Sequence, residues 1–463
     1  MNANGFSEDE VKASMDHISW QISRFHKGEN QPAVIWRDQT YTYGELITFY
    51  DDCINKLRSA GIRAGSSVAV IGDYSPGSIS SLLALLELKC ILVPLSPDSK
   101  DQHSKFYKIA EIDYVVEASQ RNDIAVHEMA ERRNHPLLQE LREANQAGLV
   151  LFSSGSSGEP KAILHSLPKL LEKFQKPRYC FRTLSFLLFD HIGGFNTLFY
   201  TLANLGCMVV AKDRKVSSVC DAIEKHKVEL LPTSPSFLNL LLLTDAAKTY
   251  DLQSLKLITY GTEVMPERTL KIANEVFPQA KFQQTYGLTE VGILRSKSAA
   301  NNSLLVKIGG EDYNTRVVDG RLQIRAKSSM MGYLNAPNPF DADGWFDTGD
   351  AVIQEGDYYR ILGRQSDIIN VGGQKVYPTE VEKVIAELPD VIDVSVKGES
   401  HLLLGQTVVC LVQMANPIPA IEMKKRILQH SKGRLQPFMI PAKVRVVTDS
   451  LVNYRFKKLR RCI

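Results

Sequence analysis

The sequence has no Cys-x-x-Cys pair. Its seven cysteines stand at 53, 90, 180, 207, 220, 410 and 462. An odd number at wide intervals argues against a disulfide framework or a zinc site and fits a reducing, cytoplasmic compartment. No apolar run approaches the length of a membrane span; the leucine-rich stretch from Ser236 to Thr244 is short and reads as a buried helix. Met1 to Glu10 is polar and acidic and lacks a signal-peptide core. No basic run is interleaved with aromatics. A formal net charge of +3 does not predict nucleic-acid binding, though it suits anionic ligands. Internal repeats and low-complexity linkers are absent. What is present is the composition of an ordinary soluble globular protein, 44% hydrophobic and 23% charged. Its 463 residues suggest roughly two to four packing units.

Hydrophobic periodicity divides the chain. Residues 33–36 and 40–43 read as a hairpin around Arg37-Asp38-Gln39. Residues 45–61 have helical spacing and end in glycine, a common helix stop. A strand at 67–71, a helix at 78–88 and a strand at 90–94 form a βαβ unit, which implies a parallel sheet. Residues 98–147 are charged and weakly patterned, with 140–146 as helix or loop. After a buried strand at 148–152 the alternation resumes. Strands at 184–189, 207–211, 228–232, 255–260 and 281–285 alternate with helices at 196–205, 216–226, 236–243 and 266–276. This is a second doubly wound unit, and such folds bind ligands at the carboxyl ends of their strands. From Leu304 to Leu334 short strands take over. Thr315–Val318, the turn Asp319-Gly320 and Arg321–Ile324 form a hairpin, within a small antiparallel barrel or sheet. Beyond Gly363 a module of roughly a hundred residues has the length of a small domain. It mixes helices at 378–388 and 420–430 with strands at 391–396, 407–412 and 444–447.

The stretch Ser153-Ser154-Gly155-Ser156-Ser157-Gly158-Glu159-Pro160-Lys161 directly follows a strand, and six of its nine residues are Ser or Gly. Glycines allow close backbone approach; hydroxyls and successive N–H groups can cradle phosphates, with the lysine neutralising them. The spacing is not the Walker form, which requires Gly-Lys-Ser/Thr, and this disfavours a motor or switch NTPase. In isolation the stretch reads equally as a surface turn. Four further segments carry groups suited to a nucleotide. Tyr286-Gly287-Leu288-Thr289-Glu290 follows a strand and ends in a carboxylate, a hard oxygen donor of the kind magnesium prefers; alone it reads equally as a loop with a helix cap at Thr289. Tyr260-Gly261-Thr262-Glu263 occupies another strand end. Gly344-Trp345-Phe346-Asp347-Thr348-Gly349-Asp350 ends in an acceptor-only carboxylate, suited to a vicinal diol. Gly363-Arg364-Gln365-Ser366-Asp367 precedes Gly372-Gly373.

With these motifs in this order, the chain resembles the acyl-adenylate-forming enzymes over nearly its whole length. That family comprises acyl- and aryl-CoA ligases, peptide-synthetase adenylation domains and beetle luciferases. Its phosphate loop reads (Ser/Thr)-Ser-Gly-(Ser/Thr)-(Ser/Thr)-Gly-x-Pro-Lys, and residues 153–161 fit at all nine positions. The resemblance implies that Ser153 to Gly158 and Lys161 hold the phosphates of ATP. It sets Tyr286 beside adenine, Thr289 on the α-phosphate and Glu290 on Mg²⁺, with Gly261, Thr262, Glu263 and Gly287 around the base. It gives Asp350 and Arg364 to the ribose. The pivot of domain rotation falls at Ser366, where the family usually has Asp or Lys, with Asp367 next to it. Gly372 and Gly373 would let a pantetheine arm pass.

In the family's C-terminal Thr-x-x-Gly-Lys-x-x-Arg, Lys457 takes the catalytic place, with Asn453 and Phe456 replacing threonine and glycine and with Lys458 adjacent. Asp190-His191-Ile192-Gly193-Gly194 resembles the His-x-x-Gly of CoA ligases. It makes His191, Ile192 and Gly193, with Tyr260 and Gly287, walls of an acyl pocket. The resemblance therefore implies an α/β fold: a large N-terminal domain (1–363) of two doubly wound βαβ subdomains and a small antiparallel β-barrel-like subdomain, a hinge at 364–366, and a small mobile α+β C-terminal domain (367–463). It implies an AMP-forming ligase that uses ATP and Mg²⁺ to activate an acyl or aryl acid and passes the acyl group to CoA. A stand-alone adenylation enzyme loading a carrier protein, and a non-catalytic nucleotide-binding homologue, are the alternatives.

Overall fold

The computed structural model describes residues 18–119, 122–129, 134–154, 159–310, 312–449, 451 and 458. Two seven-stranded sheets organise the large domain. The first runs in the order Gly332–Tyr333, Pro160–Ser166, Gly148–Ser154, Ile91–Leu95, Ser67–Ile71, Tyr114–Ala118, Ile124–Glu128. Its four central strands are parallel, and its edges are antiparallel. Central strands such as Ile91–Leu95 are buried throughout, as strands covered on both faces must be. Helix Pro76–Glu87 follows the same logic. Ser75 caps it by accepting from the Ser78 N–H, proline occupies its first turn, and residues 76–86 are all buried.

The second sheet runs Lys281–Gln284, Leu257–Tyr260, Leu230–Thr233, Arg182–Leu184, Cys207–Val209, Pro32–Trp36, Gln39–Thr42. All pairings are parallel except the last, the N-terminal hairpin. The chain therefore lays down the edge of the second sheet before it builds the first. A six-stranded antiparallel sheet, in the order Ser296–Ser298, Leu305–Ile308, Tyr358–Arg364, Phe346–Glu355, Arg321–Ala326, Tyr313–Val318, has its own core around Val306, Leu322, Ile324 and Phe346. In the small domain a separate core of Ile369, Val381, Val396, Val412 and Ile427 lies between a five-stranded sheet and the helices Pro378–Ile385 and Ala420–Ser431. This is the expected α/β architecture of a large and a small domain, and the small antiparallel element is an open six-stranded sheet. Among the described residues, no helix is long and apolar enough to cross a membrane.

Two local expectations are corrected. The strand expected at 184–189 is confined to Arg182–Leu184. The segment beyond it turns away after the Ser185 N–H bonds to the Val209 carbonyl (2.9 Å), and the Asp190 carboxylate accepts from the Ser96 N–H (3.3 Å). The weakly patterned region holds the helices Lys100–Ile109 and Pro136–Glu143 and the strands Tyr114–Ala118 and Ile124–Glu128. Ile124–Glu128 is an edge strand with no fully buried residue, so it carries little hydrophobic signal. The strands on either side of the Ser/Gly stretch, Gly148–Ser154 and Pro160–Ser166, pair antiparallel.

Candidate active site

The carboxyl ends of Leu230–Thr233, Leu257–Tyr260 and Lys281–Gln284 open on a cleft of about 1550 Å³ that extends to the small domain. Ser153, Lys161, His191, Ile192, Gly261, Thr262, Glu263, Tyr286, Gly287, Thr289, Glu290, Asp350, Arg364 and Ser366 all line it. Gly155, Ser156, Ser157, Gly158 and Lys457 lie outside the described residues, and the backbone of Ser154 pairs with Pro160.

Asp350 is held by two side chains. It sits on strand Phe346–Glu355, 7% exposed. Arg364, opposite it on strand Tyr358–Arg364, places Nε 2.8 Å from Oδ1 and donates from a terminal nitrogen to the Thr348 carbonyl at 2.6 Å. The Tyr286 hydroxyl donates to Oδ2 at 2.5 Å. Burial raises the Asp350 carboxyl above the ordinary carboxylate range, and the Arg364 guanidinium opposes that shift. Each carboxylate oxygen keeps a second lone pair for a ligand hydroxyl.

Glu290 is held from two sides. Its backbone carbonyl accepts from the Met330 N–H (2.8 Å), and its Oε1 accepts from the Tyr333 hydroxyl (2.8 Å). Lys161 Nζ lies over the Tyr333 ring, 4.7 Å from its centroid. Tyr333 thus couples the lysine of the Ser/Gly loop to Glu290, a link the motifs do not announce. Among the described residues no three His, Cys, Asp or Glu side chains gather as a metal site. A single cleft carboxylate fits a Mg²⁺ shared with nucleotide phosphates, not one caged by protein.

Thr289 is fixed by another residue outside the motifs. His165 on strand Pro160–Ser166 donates from Nε2 to the Thr289 carbonyl at 2.6 Å. Burial lowers its pKa from 6.5 to about 4, so the ring is neutral at pH 7. Between these values the unfolded chain binds more protons, so this contribution to stability is complete above about pH 6.5 and is lost as pH falls toward 4. His165→Gln keeps an N–H donor without titrating. Urea melts are expected to show a flatter stability profile for this variant across that window. Parallel profiles would exclude His165 as the source.

The 260–263 segment divides its roles. The Tyr260 ring is 1% exposed, packed in the core with Ile258, Phe277 and Phe282; the cleft begins with Gly261. A Cβ on Gly261 would lie 2.6 Å from Thr285 Oγ1, so only glycine lets the two strand ends lie this close. Thr262 has φ +69°, an uncommon conformation that tends to mark functional turns. Glu263 Oε2 accepts from the backbone N–H (3.2 Å) and hydroxyl (2.5 Å) of Ser236, in the first turn of helix Pro235–Leu243. Its Oε1 accepts from the Lys458 backbone N–H at 2.6 Å. The Lys458 side chain, 17% exposed, reaches Asp393 (3.0 Å) and Glu382 (3.8 Å) on the small domain.

On the opposite wall, His191 caps helix Ile192–Ala203, its Nδ1 accepting from the Gly193 N–H at 3.2 Å. Gly193 is buried in that first turn. Gly287 faces Ile293 in the hairpin Tyr286–Leu288 with Gly292–Leu294. Gly372 (φ +57°) and Gly373 (φ +86°) form the tight turn between Ile369–Val371 and Gln374–Val376. They are exposed and do not line the cleft. The small domain rests on two large-domain helices through Lys383–Glu267 (2.6 Å), the Arg268 guanidinium on the Ala386 carbonyl and Asn239 on the Ile392 carbonyl (3.2 Å).

Residues 23–334 match the model of the AMP-binding enzyme family and 380–458 that of the AMP-binding enzyme C-terminal domain. The indoleacetate–CoA ligase of Aromatoleum aromaticum is 25% identical over 93% of each chain. The 2-succinylbenzoate–CoA ligase of Bacillus subtilis is 25% identical over 96% of each. Among solved structures, the anthranilate CoA ligase AuaEII in complex with anthranoyl-AMP superposes with a TM-score of 0.81 at 18% identity, covering 98% of this chain and 97% of that one.

Proposed function

The chain belongs to the AMP-binding enzyme family, and from that premise we propose that it is an AMP-forming ligase that joins an acyl or aryl carboxylic acid to the thiol of CoA. The observation that carries this reading is the convergence in one cleft of the Asp350–Arg364–Tyr286 cluster, the Glu290 carboxylate and the C-terminal Lys458. The similar proteins, CoA ligases for indoleacetate and 2-succinylbenzoate, support the choice of acid and acceptor.

In the first half-reaction a carboxylate oxygen attacks the α-phosphorus of ATP, and pyrophosphate leaves. The protein aligns the reactants and stabilises the charge that develops. Asp350 accepts from the ribose hydroxyls while Arg364 and Tyr286 hold it in place. The segment 261–263 and Gly287 bound the base, and Tyr286 holds Asp350 beside it. Ser153 to Gly158 and Lys161 take the phosphates, and Thr289 donates to the α-phosphate. Glu290, aligned by Tyr333, would hold Mg²⁺, which supplies positive charge to the phosphates. Two registers of the C-terminal motif place an arginine three residues after a lysine, Lys457 with Arg460 and Lys458 with Arg461. What supports the second is that Lys458 lines the cleft and bonds through its backbone to Glu263. Lys458 is therefore assigned the ammonium that bridges carboxylate and phosphate.

In the second half-reaction the small domain turns about residues 364–366, with Ser366 as pivot. This withdraws Lys458 and brings Gly372 and Gly373 to the cleft for the pantetheine arm. The thiol attacks the acyl-AMP carbonyl and AMP leaves. His191, Ile192, Gly193 and Gly287 bound the acyl group.

A hydroxamate screen tests the reading: acids are supplied with ATP, Mg²⁺ and hydroxylamine. Acyl or aryl acids are expected to yield hydroxamate, AMP and pyrophosphate, with weak turnover of α-amino acids. ADP in place of AMP would sink the adenylation reading. Pyrophosphate exchange with one α-amino acid and no acyl or aryl acid would overturn the pocket assigned to His191.

A further inference from the structure

The ammonium of Lys173 joins two walls of the cleft that no motif links. Lys173 lies in the single turn Glu172–Phe174. Its Nζ donates to Asn196 Oδ1 at 2.6 Å and to the Ile293 backbone carbonyl at 2.8 Å, and it lies 5.0 Å from the Phe174 ring centroid. Asn196 belongs to helix Ile192–Ala203, one turn beyond the residues that open it at the cleft. Ile293 is the direct strand partner of Gly287, and a Cβ on Gly287 would come within 2.7 Å of Ile293 Cα and Cδ1. A shift of Ile293 therefore moves Gly287. Lys173 makes no salt bridge to a described carboxylate. Burial, followed by Arg178 and Arg295, lowers its pKa to about 7. Charged or neutral, the amine keeps at least two N–H donors, one for each acceptor.

We propose that Lys173 is a positioning residue for the acid substrate: by tying Asn196 to Ile293 it fixes the spacing between the helix that carries His191 and Ile192 and the hairpin that carries Gly287, and so selects which acids fit between them. The inference rests on the acyl pocket proposed above. Lys173 touches neither Asp350 nor Glu290, and of the groups it positions only Gly287 also borders the base, so its loss acts far more on the acid than on ATP.

The test is a hydroxamate assay with benzoate, indoleacetate, 4-coumarate and octanoate. Lys173→Met keeps the apolar stem and removes both donors. It is expected to raise the KM of the acid best used by the wild type about tenfold, the scale of a lost hydrogen bond to a charged group. The ranking of the four acids should change, and the KM for ATP should stay within about twofold. Asn196→Ala should reproduce this split in smaller measure, since the bond to Ile293 survives it, and the double variant should be no worse than Lys173→Met, which already lacks the bond to Asn196. If Lys173→Met fails to fold, Asn196→Ala carries the test. An unchanged acid KM and ranking, or equal rises for acid and ATP, overturns the proposal. Ile192→Trp distinguishes the two possible failures. If it changes the ranking while Lys173→Met and Asn196→Ala do not, only this inference falls. If it changes nothing, or if the wild type activates none of the four acids, the pocket reading falls and takes the inference with it.

Discussion

Lys458→Ala is expected to cut acyl-adenylate formation by on the order of 100-fold or more, the usual cost of removing a preorganised electrostatic contact, while Lys457→Ala retains most of it. The geometry makes Lys458 more than part of a solvated basic tail. Its backbone is pinned to Glu263 of the large domain, and its ammonium rests 3.0 Å from Asp393 and 3.8 Å from Glu382 of the small one. The long, flexible stem lets the ammonium exchange those carboxylates for the more concentrated negative charge of a bound triphosphate. This contact exists only while the small domain lies against helices Pro235–Leu243 and Glu267–Val276, where Lys383 meets Glu267. In the mechanism proposed, thioester formation brings Gly372 and Gly373 to the cleft and so uses another orientation. Lys458→Ala supplied with synthetic acyl-AMP and CoA should therefore make thioester at a near-normal rate. Single-turnover assays of the two steps decide the matter. Loss of adenylation in Lys457→Ala, with Lys458→Ala spared, would restore the earlier register of the motif. Normal adenylation in both would leave the mechanism without its ammonium.

The features legible in the sequence were those that repeat or punctuate. Strand–helix alternation from 207 to 284 is a strong signal because fully buried parallel strands are apolar along their whole length. The segments at 260–263 and 284–290 could be placed at strand ends on that basis alone. Residues that act through tertiary contacts left no such trace. Tyr333 reaches Glu290 from the edge strand Gly332–Tyr333, and His165 reaches Thr289 across 124 residues of chain. Lys173 sits among charged residues in a turn. The signal that could have raised interest in His165 was its place within an otherwise apolar run, Ala162-Ile163-Leu164-His165, since a buried polar ring must find a partner. Tyr260 shows the converse. Proximity to a motif suggested a pocket wall, but alternation along Leu257–Tyr260 turns its ring into the core. The N-terminal hairpin was visible as a hairpin, yet its pairing with Cys207–Val209 is a choice of sheet that local pattern does not encode.

Asp350→Asn is expected to raise the KM for ATP about 10- to 100-fold, corresponding to a charge-assisted hydrogen bond worth about 1.5–3 kcal/mol. Asparagine is the informative substitution because Asp350 has structural partners as well. Alanine would strand the Tyr286 hydroxyl, buried and bonded to Oδ2 at 2.5 Å, at a cost of about 1–3 kcal/mol in stability. It would also leave Arg364 holding only the Thr348 carbonyl. Asparagine preserves volume and one acceptor for Tyr286 but turns an N–H₂ toward the remaining partners, where the ribose hydroxyls need an acceptor. Its N–H₂ meets the Arg364 Nε–H, so the melting temperature should fall, but less than in Asp350→Ala because Tyr286 keeps its acceptor, while ATP affinity falls. A pH series adds an independent check. Burial raises the Asp350 carboxyl despite Arg364, so on acidification the folded enzyme takes up this proton before the unfolded chain would. ATP binding should weaken on acidification more steeply in the wild type than in Asp350→Asn, which has no such proton to take up. Calorimetric titration of both proteins with MgATP reads affinity directly. A folded Asp350→Asn that binds MgATP as tightly as wild type, with the same pH dependence, would remove Asp350 from the nucleotide site.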